Sequence, residues 1–177
     1  WIRRLQVNAE HLSGLVGDVL DLSHVEAGKL DVHFTECSVV DVVDMAATML
    51  RPWAEDKGLL FSVHFRNDPP RRIETDPQRL RQILVNLATH AIEHTSRGEV
   101  RIEVRVHGRE PVGAMLAIDI VDTGPGSSTG LGLGLSIARR ILREHGGDVV
   151  AIPSSAGAHF RMTLPLYVAE ASDLGLP

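Results

Sequence analysis

The residues of this chain best placed to do chemistry are one carboxylate and a run of glycines. Asp122 closes an apolar stretch, AIDIV, and is followed by Gly124, Gly126, Gly130, Gly132 and Gly134. From Ser136 to Arg143, apolar and basic residues then recur at helical spacing. The order is strand, acid, glycine-rich loop, helix. Glycine lets a backbone approach a ligand closely and adopt positive φ. A helix start beyond the glycines offers free N–H groups and the positive end of a dipole, which favours a phosphate. Asp122, at the strand end, can accept a hydrogen bond from an amino group such as that of a purine. A plain flexible loop between two core elements is the competing reading, but loop glycines seldom repeat this regularly beside an acid. A Walker-type loop does not fit, because no Gly-Lys-Ser/Thr follows. A dinucleotide fold would place its glycines after the first strand and its acid some twenty residues later.

A second set lies on the predicted helix PQRLRQILVNLATHAIEHT. Asn86, His90 and Glu93 follow one another at steps of four and three and share one face, beside an apolar face of Leu80, Ile83, Leu84, Leu87, Ala88, Ala91 and Ile92. They form either the wall of a site or a solvated face, and periodicity does not choose between the two.

The elements that must position these groups follow from spacing and punctuation. Apolar residues from Ile2 to Val25 recur at three and four, predicting a long amphipathic helix ended by Gly28. Such a helix cannot bury its stripe alone and calls for a partner helix or a second copy of the chain. LDVHFT, residues 30–35, alternates like a strand. Ser38 is placed to cap a helix over 39–57, which Pro52 is expected to kink or break. Residues 59–65 and 72–75 read as strands. Asp76 caps the next helix, with Pro77 at its first position. Strands are predicted over 99–106 and up to Asp122, a helix over 133–145, and a last hairpin over 148–152 and 159–166. Helices and strands mix without strict alternation, which predicts an α+β sandwich, a mixed sheet with helices on one face.

The chain has 177 residues, 44% of them hydrophobic, enough for one compact domain and an appendage. A formal net charge of −5 argues against non-specific nucleic-acid binding. The single cysteine, Cys37, has no partner for an internal disulfide, which fits a reducing, cytoplasmic compartment, and it reads as a small core residue. No run of eighteen apolar residues occurs, so no membrane contact is expected of this segment.

Taken together, these motifs resemble the ATP-binding domain of sensor histidine kinases, a branch of the superfamily that also holds gyrase and mismatch-repair ATPases. LVGDVLDLSHVEAGKL resembles the second helix of the kinase dimerisation domain and its exit into the catalytic domain. DPQRLRQILVNLATHAIEHT resembles the N box, VDTGPG the first glycine box, GLGLGLSIARRILREHGG the second, and AGAHFRMTLPL the closing hairpin. The resemblance implies a Bergerat-type two-layer sandwich over 30–168, the second dimerisation helix over 1–29 and a tail over 169–177. It implies that Asp122 binds the adenine amino group and that Gly124 and Gly126 shape the pocket floor. Gly130, Leu131, Gly132, Leu133, Gly134 and Leu135 would hold the phosphates at the helix start. Asn86 and His94 would line the pocket. The implied cofactors are ATP and Mg²⁺, the implied partners a response-regulator receiver domain and the dimerisation helices of a homodimer. The parent protein could be membrane-anchored.

Three departures from the family pattern stand out. His90 occupies the place of the N-box asparagine that holds Mg²⁺, and imidazole is a poor ligand for that hard ion. His90 therefore either fills space on the helix or ligates metal, and Asn86 is the other metal-ligand candidate. The lid is nearly missing, since only residues 125–129 separate the glycine boxes. The helix with the phosphoacceptor histidine is absent, and neither His11 nor His24 is assigned that role.

Overall fold

The computed structural model describes residues 33–67, 72–109, 112–124, 132–154 and 157–166. The long helix expected over 1–27 and the tail expected over 169–177 lie outside these residues.

Ser38 begins the first helix as expected: its Oγ accepts from the Asp41 amide at 3.2 Å. Helix α1, Val39–Asp56, buries a stripe from Val39 through Val43, Ala46 and Leu50 to Ala54. Pro52 sits inside it and the helix runs through without a break. One interior proline costs about 3 kcal/mol. Each fully buried valine or leucine of the stripe returns about 1.5–3 kcal/mol, so packing outweighs the missing N–H. Gly58, at φ +72°, then turns the chain where only glycine is relaxed.

Of the strand expected over 30–35, residues 30–32 lie outside the described residues, and among the described ones pairing begins at Thr35. β1 is Thr35–Cys37, and it pairs antiparallel with β3, Ile73–Thr75, with Cys37 opposite Ile73. Alternation alone does not locate a strand this short; its three-residue partner does. Cys37 is half-buried against the core. Burial pushes its thiol pKa up, and the charges of Asp76 and Asp41 push it further, which disfavours the reactive thiolate.

Asp76 caps the second helix, α2, Pro77–His94, accepting from the amides of Gln78 and Arg79 at 3.1 and 3.0 Å. The main sheet has five strands. They are β2 (Leu60–Arg66), β4 (Glu99–Arg109), β5 (Val112–Asp122), β6 (Asp148–Ala151) and β7 (His159–Pro165), in the order β2-β4-β5-β7-β6. β2 and β4 are parallel and the other neighbours antiparallel, so the sheet is mixed. Helix α3, Gly132–Glu144, joins β5 to β6.

Period two divides the sheet into two faces. Val100, Ile102 and Val104 of β4, Leu116, Ile118 and Ile120 of β5, and Met162 and Leu164 of β7 form one apolar core with the buried stripes of all three helices. The alternate positions, Arg101, Glu103, Arg105, Asp119 and Arg161, are charged and pair across the other face. The fold is the expected α+β sandwich with helices on one side. Among the described residues, no helix is long and apolar enough to cross a membrane.

Candidate nucleotide site

β5 is the central strand, and it ends at Asp122. Even-numbered residues of this strand point toward the helices, and Asp122 continues that row with only 3% of its surface exposed. A buried carboxylate must be held by donors. Two backbone amides supply them: Gly124 N donates to Asp122 Oδ1 at 2.7 Å, and Ala158 N donates to the same oxygen at 3.1 Å. The Asp122 amide in turn donates to the Ala158 carbonyl at 3.0 Å. No described residue donates to Oδ2. One oxygen is thus fixed by the fold and the other is left as a directed acceptor.

Two neighbours pack their backbones directly against this carboxylate because they lack a side chain. A Cβ on Gly157, which sits at φ +121°, would lie 2.0 Å from the Asp122 carbonyl oxygen. A Cβ on Gly124 would lie 3.0 Å from Asp122 Oδ1, 3.1 Å from the His94 carbonyl and 3.2 Å from Thr95 Oγ1. The loop after β5 is therefore seated on the C-terminal end of α2. Sequence reasoning named Gly124 but missed Gly157 and Ala158. Their role depends on β7 returning beside β5, a pairing between residues some forty positions apart that no local pattern encodes.

The end of α2 is fixed from three sides. Thr95 is fully buried, and its hydroxyl donates to the Ala91 carbonyl at 2.7 Å. Lys57, the C-cap of α1, reaches across and donates Nζ to the carbonyls of Ile92 and Glu93 at 2.7 and 2.6 Å. A cation at a helix C-terminus satisfies orphan carbonyls and opposes the dipole. The third contact is with the Asp122 loop.

Of the three helix residues expected to share a face, Asn86 and His90 are half-buried and Glu93 is exposed. His90 is packed between rings: it stacks on His94 at 4.0 Å between centroids and meets Phe160 edge-on at 6.3 Å. His94 Nδ1 pairs with the His90 carbonyl at 3.0 Å. The structure thus places His94 beside the Asp122 loop through its carbonyl, and its ring against His90.

Gly132, Leu133 and Gly134 form the first turn of α3, and Leu135 is half-buried against the core. Gly126, Gly130 and Leu131 lie outside the described residues. Gly132 and Gly134 thus lie in the first turn of a helix, whose free N–H groups favour an anion.

This carboxylate, its fixed amides and the following helix start sit on an α+β sandwich as a candidate nucleotide site. A family profile described as "Histidine kinase-, DNA gyrase B-, and HSP90-like ATPase" matches residues 75–168, and the chain belongs to that family. The sensor protein GacS of Pseudomonas syringae pv. syringae is 30% identical, over 94% of this chain and 21% of its own length. Full-length ShkA, crystallised in complex with AMPPNP, superposes with a TM-score of 0.78 at 26% identity, over 95% of this chain and 38% of that one. Histidine kinase ThkA, crystallised with the response regulator TrrA, superposes with a TM-score of 0.68 at 21% identity, over 93% of this chain and 51% of that one. The chain spans about a tenth to a fifth of the length of the curated relatives it matches.

The residues present fit a purine nucleotide: the Gly124 and Ala158 amides hold Asp122 Oδ1, and no described residue donates to Oδ2. They fit Mg²⁺ poorly at His90, whose imidazole is a soft donor already packed against two rings. Among the described residues, no group of three or more His, Cys, Asp or Glu is arranged to hold a metal ion.

Proposed function

We propose that this chain is the ATP-binding catalytic part of a two-component sensor histidine kinase. The whole kinase would transfer the γ-phosphate of ATP to a histidine on its dimerisation helix, for relay to an aspartate of a response-regulator receiver domain. The observation that carries this reading is Asp122, buried at the end of β5 with Oδ1 fixed by two amides and Oδ2 without a donor among the described residues. In this reading Asp122 Oδ2 accepts from the adenine amino group, and Gly124 and Gly126 form the floor beneath the base. Gly130, Leu131, Gly132, Leu133, Gly134 and Leu135 bring backbone N–H groups of the loop and of α3 to the phosphates. Asn86 and His94 line the pocket from α2, and Asn86 supplies the amide oxygen that Mg²⁺, carried in on the phosphates, would meet. Phosphoryl transfer asks the protein mainly for positioning and charge stabilisation, and these residues supply the positioning. A dimer through the 1–29 helices and a cytoplasmic location belong to the same reading.

The ring packing of His90 favours a second reading, a non-catalytic module that keeps the fold and acts by docking a partner. Calorimetric titration with a non-hydrolysable ATP analogue, with and without Mg²⁺, separates the two. Micromolar binding supports the kinase reading. No binding at millimolar nucleotide, with the fold verified, rejects it in favour of the docking module. His90→Asn is expected to tighten the Mg²⁺-dependent part of binding and leave the metal-free part unchanged.

A further inference from the structure

The sheet face away from the helices carries a built cluster that the nucleotide reading leaves unused. Asp119 projects onto this face from the middle of β5 and is 1% exposed. Three cationic or potentially cationic groups converge on it. Arg105 Nη2 donates to Oδ2 at 2.6 Å, Arg161 Nε donates to Oδ1 at 2.8 Å, and His159 Nε2 lies 2.5 Å from Oδ1. The register explains the convergence: Asp119 is directly opposite Arg161 on β7, while Arg105 and His159 reach it diagonally from β4 and β7.

Three facts point past simple charge pairing. The cluster lines a cavity of about 270 Å³, room for several waters or one phosphate group. Two guanidiniums and the His159 imidazole converge on the single carboxylate of Asp119, while Glu103 and Asp122 also line the cavity. Donors also remain. Arg105 Nε is buried without a hydrogen-bond partner, and the terminal nitrogens of Arg161 are unclaimed among the described residues. Arg101 forms the rim: its Nη1 pairs with Glu99 at 2.6 Å, and its Nε sits 2.9 Å from Glu103 without the alignment of a hydrogen bond. Glu103 also draws Arg66 at 3.5 Å, so the rim charges pair among themselves and leave the Arg105–Arg161 pair facing the cavity.

We propose that this basin is an anion site that takes a phosphate or a small carboxylate group. Asp119 holds the two guanidiniums in place, and their remaining N–H groups bind the oxyanion. Guanidinium forks match both anions geometrically, and charge-assisted bonds to them are the strong ones. The proposal does not depend on nucleotide binding. Asp119 and Asp122 nevertheless share one strand and project to opposite faces, so an occupied basin bears on the strand that ends at the nucleotide site.

The test is a titration of the full chain with inorganic phosphate and, separately, with acetate, at constant ionic strength kept with chloride. It is read on the Nε–H signals of Arg105 and Arg161 by NMR. Those signals sit on this face, and the Arg161 variants below separate binding here from phosphate bound at the glycine loop. Saturable shifts in the millimolar range are expected, larger for phosphate if the natural ligand is a phosphate and for acetate if it is a carboxylate. Arg161→Gln should weaken binding at least about tenfold. Arg161→Lys keeps the charge and loses the fork, and should weaken it less but measurably. If Arg161→Gln does not fold, Arg161→Lys and Arg101→Gln carry the test, with Arg101→Gln expected to leave binding within about threefold. Shifts that scale linearly for both anions, or binding unaltered in the folded Arg161 variants, would overturn the proposal.

Discussion

Replacing Asp122 in two different ways separates its two oxygens. In Asp122→Asn the side-chain Oδ1 still accepts from the amides of Gly124 and Ala158, at 2.7 and 3.1 Å in the parent. The amide nitrogen then replaces Oδ2 and presents a donor to the donor amino group of adenine. The loss is one charge-assisted bond, about 1.5–3 kcal/mol. At a factor of ten per 1.4 kcal/mol, nucleotide affinity should fall about 10- to 150-fold with thermal stability nearly unchanged. Asp122→Ala instead orphans both amides inside a site where the parent side chain is buried. Two such bonds amount to about 3 kcal/mol, and for a chain of this size that lowers Tm by about 6–12 °C. Calorimetric titration and thermal unfolding of both variants check this. If Asp122→Asn binds the analogue within threefold of the parent, or unfolds as early as Asp122→Ala, the division of labour between the oxygens is wrong.

Three further outcomes follow from the same geometry. Gly157→Ala should lower Tm by at least about 5 °C and abolish nucleotide binding, because its Cβ would sit 2.0 Å from the Asp122 carbonyl at a φ only glycine adopts easily; unchanged unfolding would contradict the close approach. Lys57→Ala removes two bonds to the last turn of α2 and should cost about 1–2 kcal/mol, with faster amide exchange at His94 and Thr95; exchange confined to α1 would contradict it. Asp148 is held at a pKa of about 2, chiefly by its hydrogen bond from Arg139. A depressed carboxylate pKa adds stability above the unfolded value near 3.9 and loses it as pH falls toward 2. Arg139→Gln should therefore destabilise slightly at pH 7 and hardly at all at pH 2, with the difference shrinking in high salt; an equal loss at both pH values would assign the effect to packing.

The helices were legible because their signals are local. Ser38, Asp76 and Pro77 punctuate helix starts, and residues spaced by three and four mark the buried faces. Asp122 and Gly124 were legible for a similar reason, since strand, acid and glycine adjoin in the chain. What escaped was set by distant pairing. β1 took its position from β3, and Gly157 and Ala158 became part of the site only because β7 lies along β5. His90 was legible as a residue out of pattern, but its stacking on His94 and its contact with Phe160 required the sheet and the helix together. No local motif marks the charged cluster around Asp119, because its members come from three strands.

The route of β5 through the sheet also sets an order of assembly. β4 and β5 form a hairpin whose paired residues run from Arg109–Val112 at the turn out to Val100–Asp122 at the open end. Zipping from the turn costs little loop entropy, and Asp122 is the last residue to be paired. Its second amide arrives only when β7 docks and brings Ala158, after the whole excursion through α3 and β6. The carboxylate is thus fixed late, and contacts around Ala158 should show φ-values near zero while those around Arg109 and Val112 show high ones. A chain arrested as the bare hairpin would carry Asp122 solvated and undirected. The acceptor oxygen thus works as a checkpoint: only a molecule that has finished folding can present it, and any ligand it captures rewards completion of the sheet.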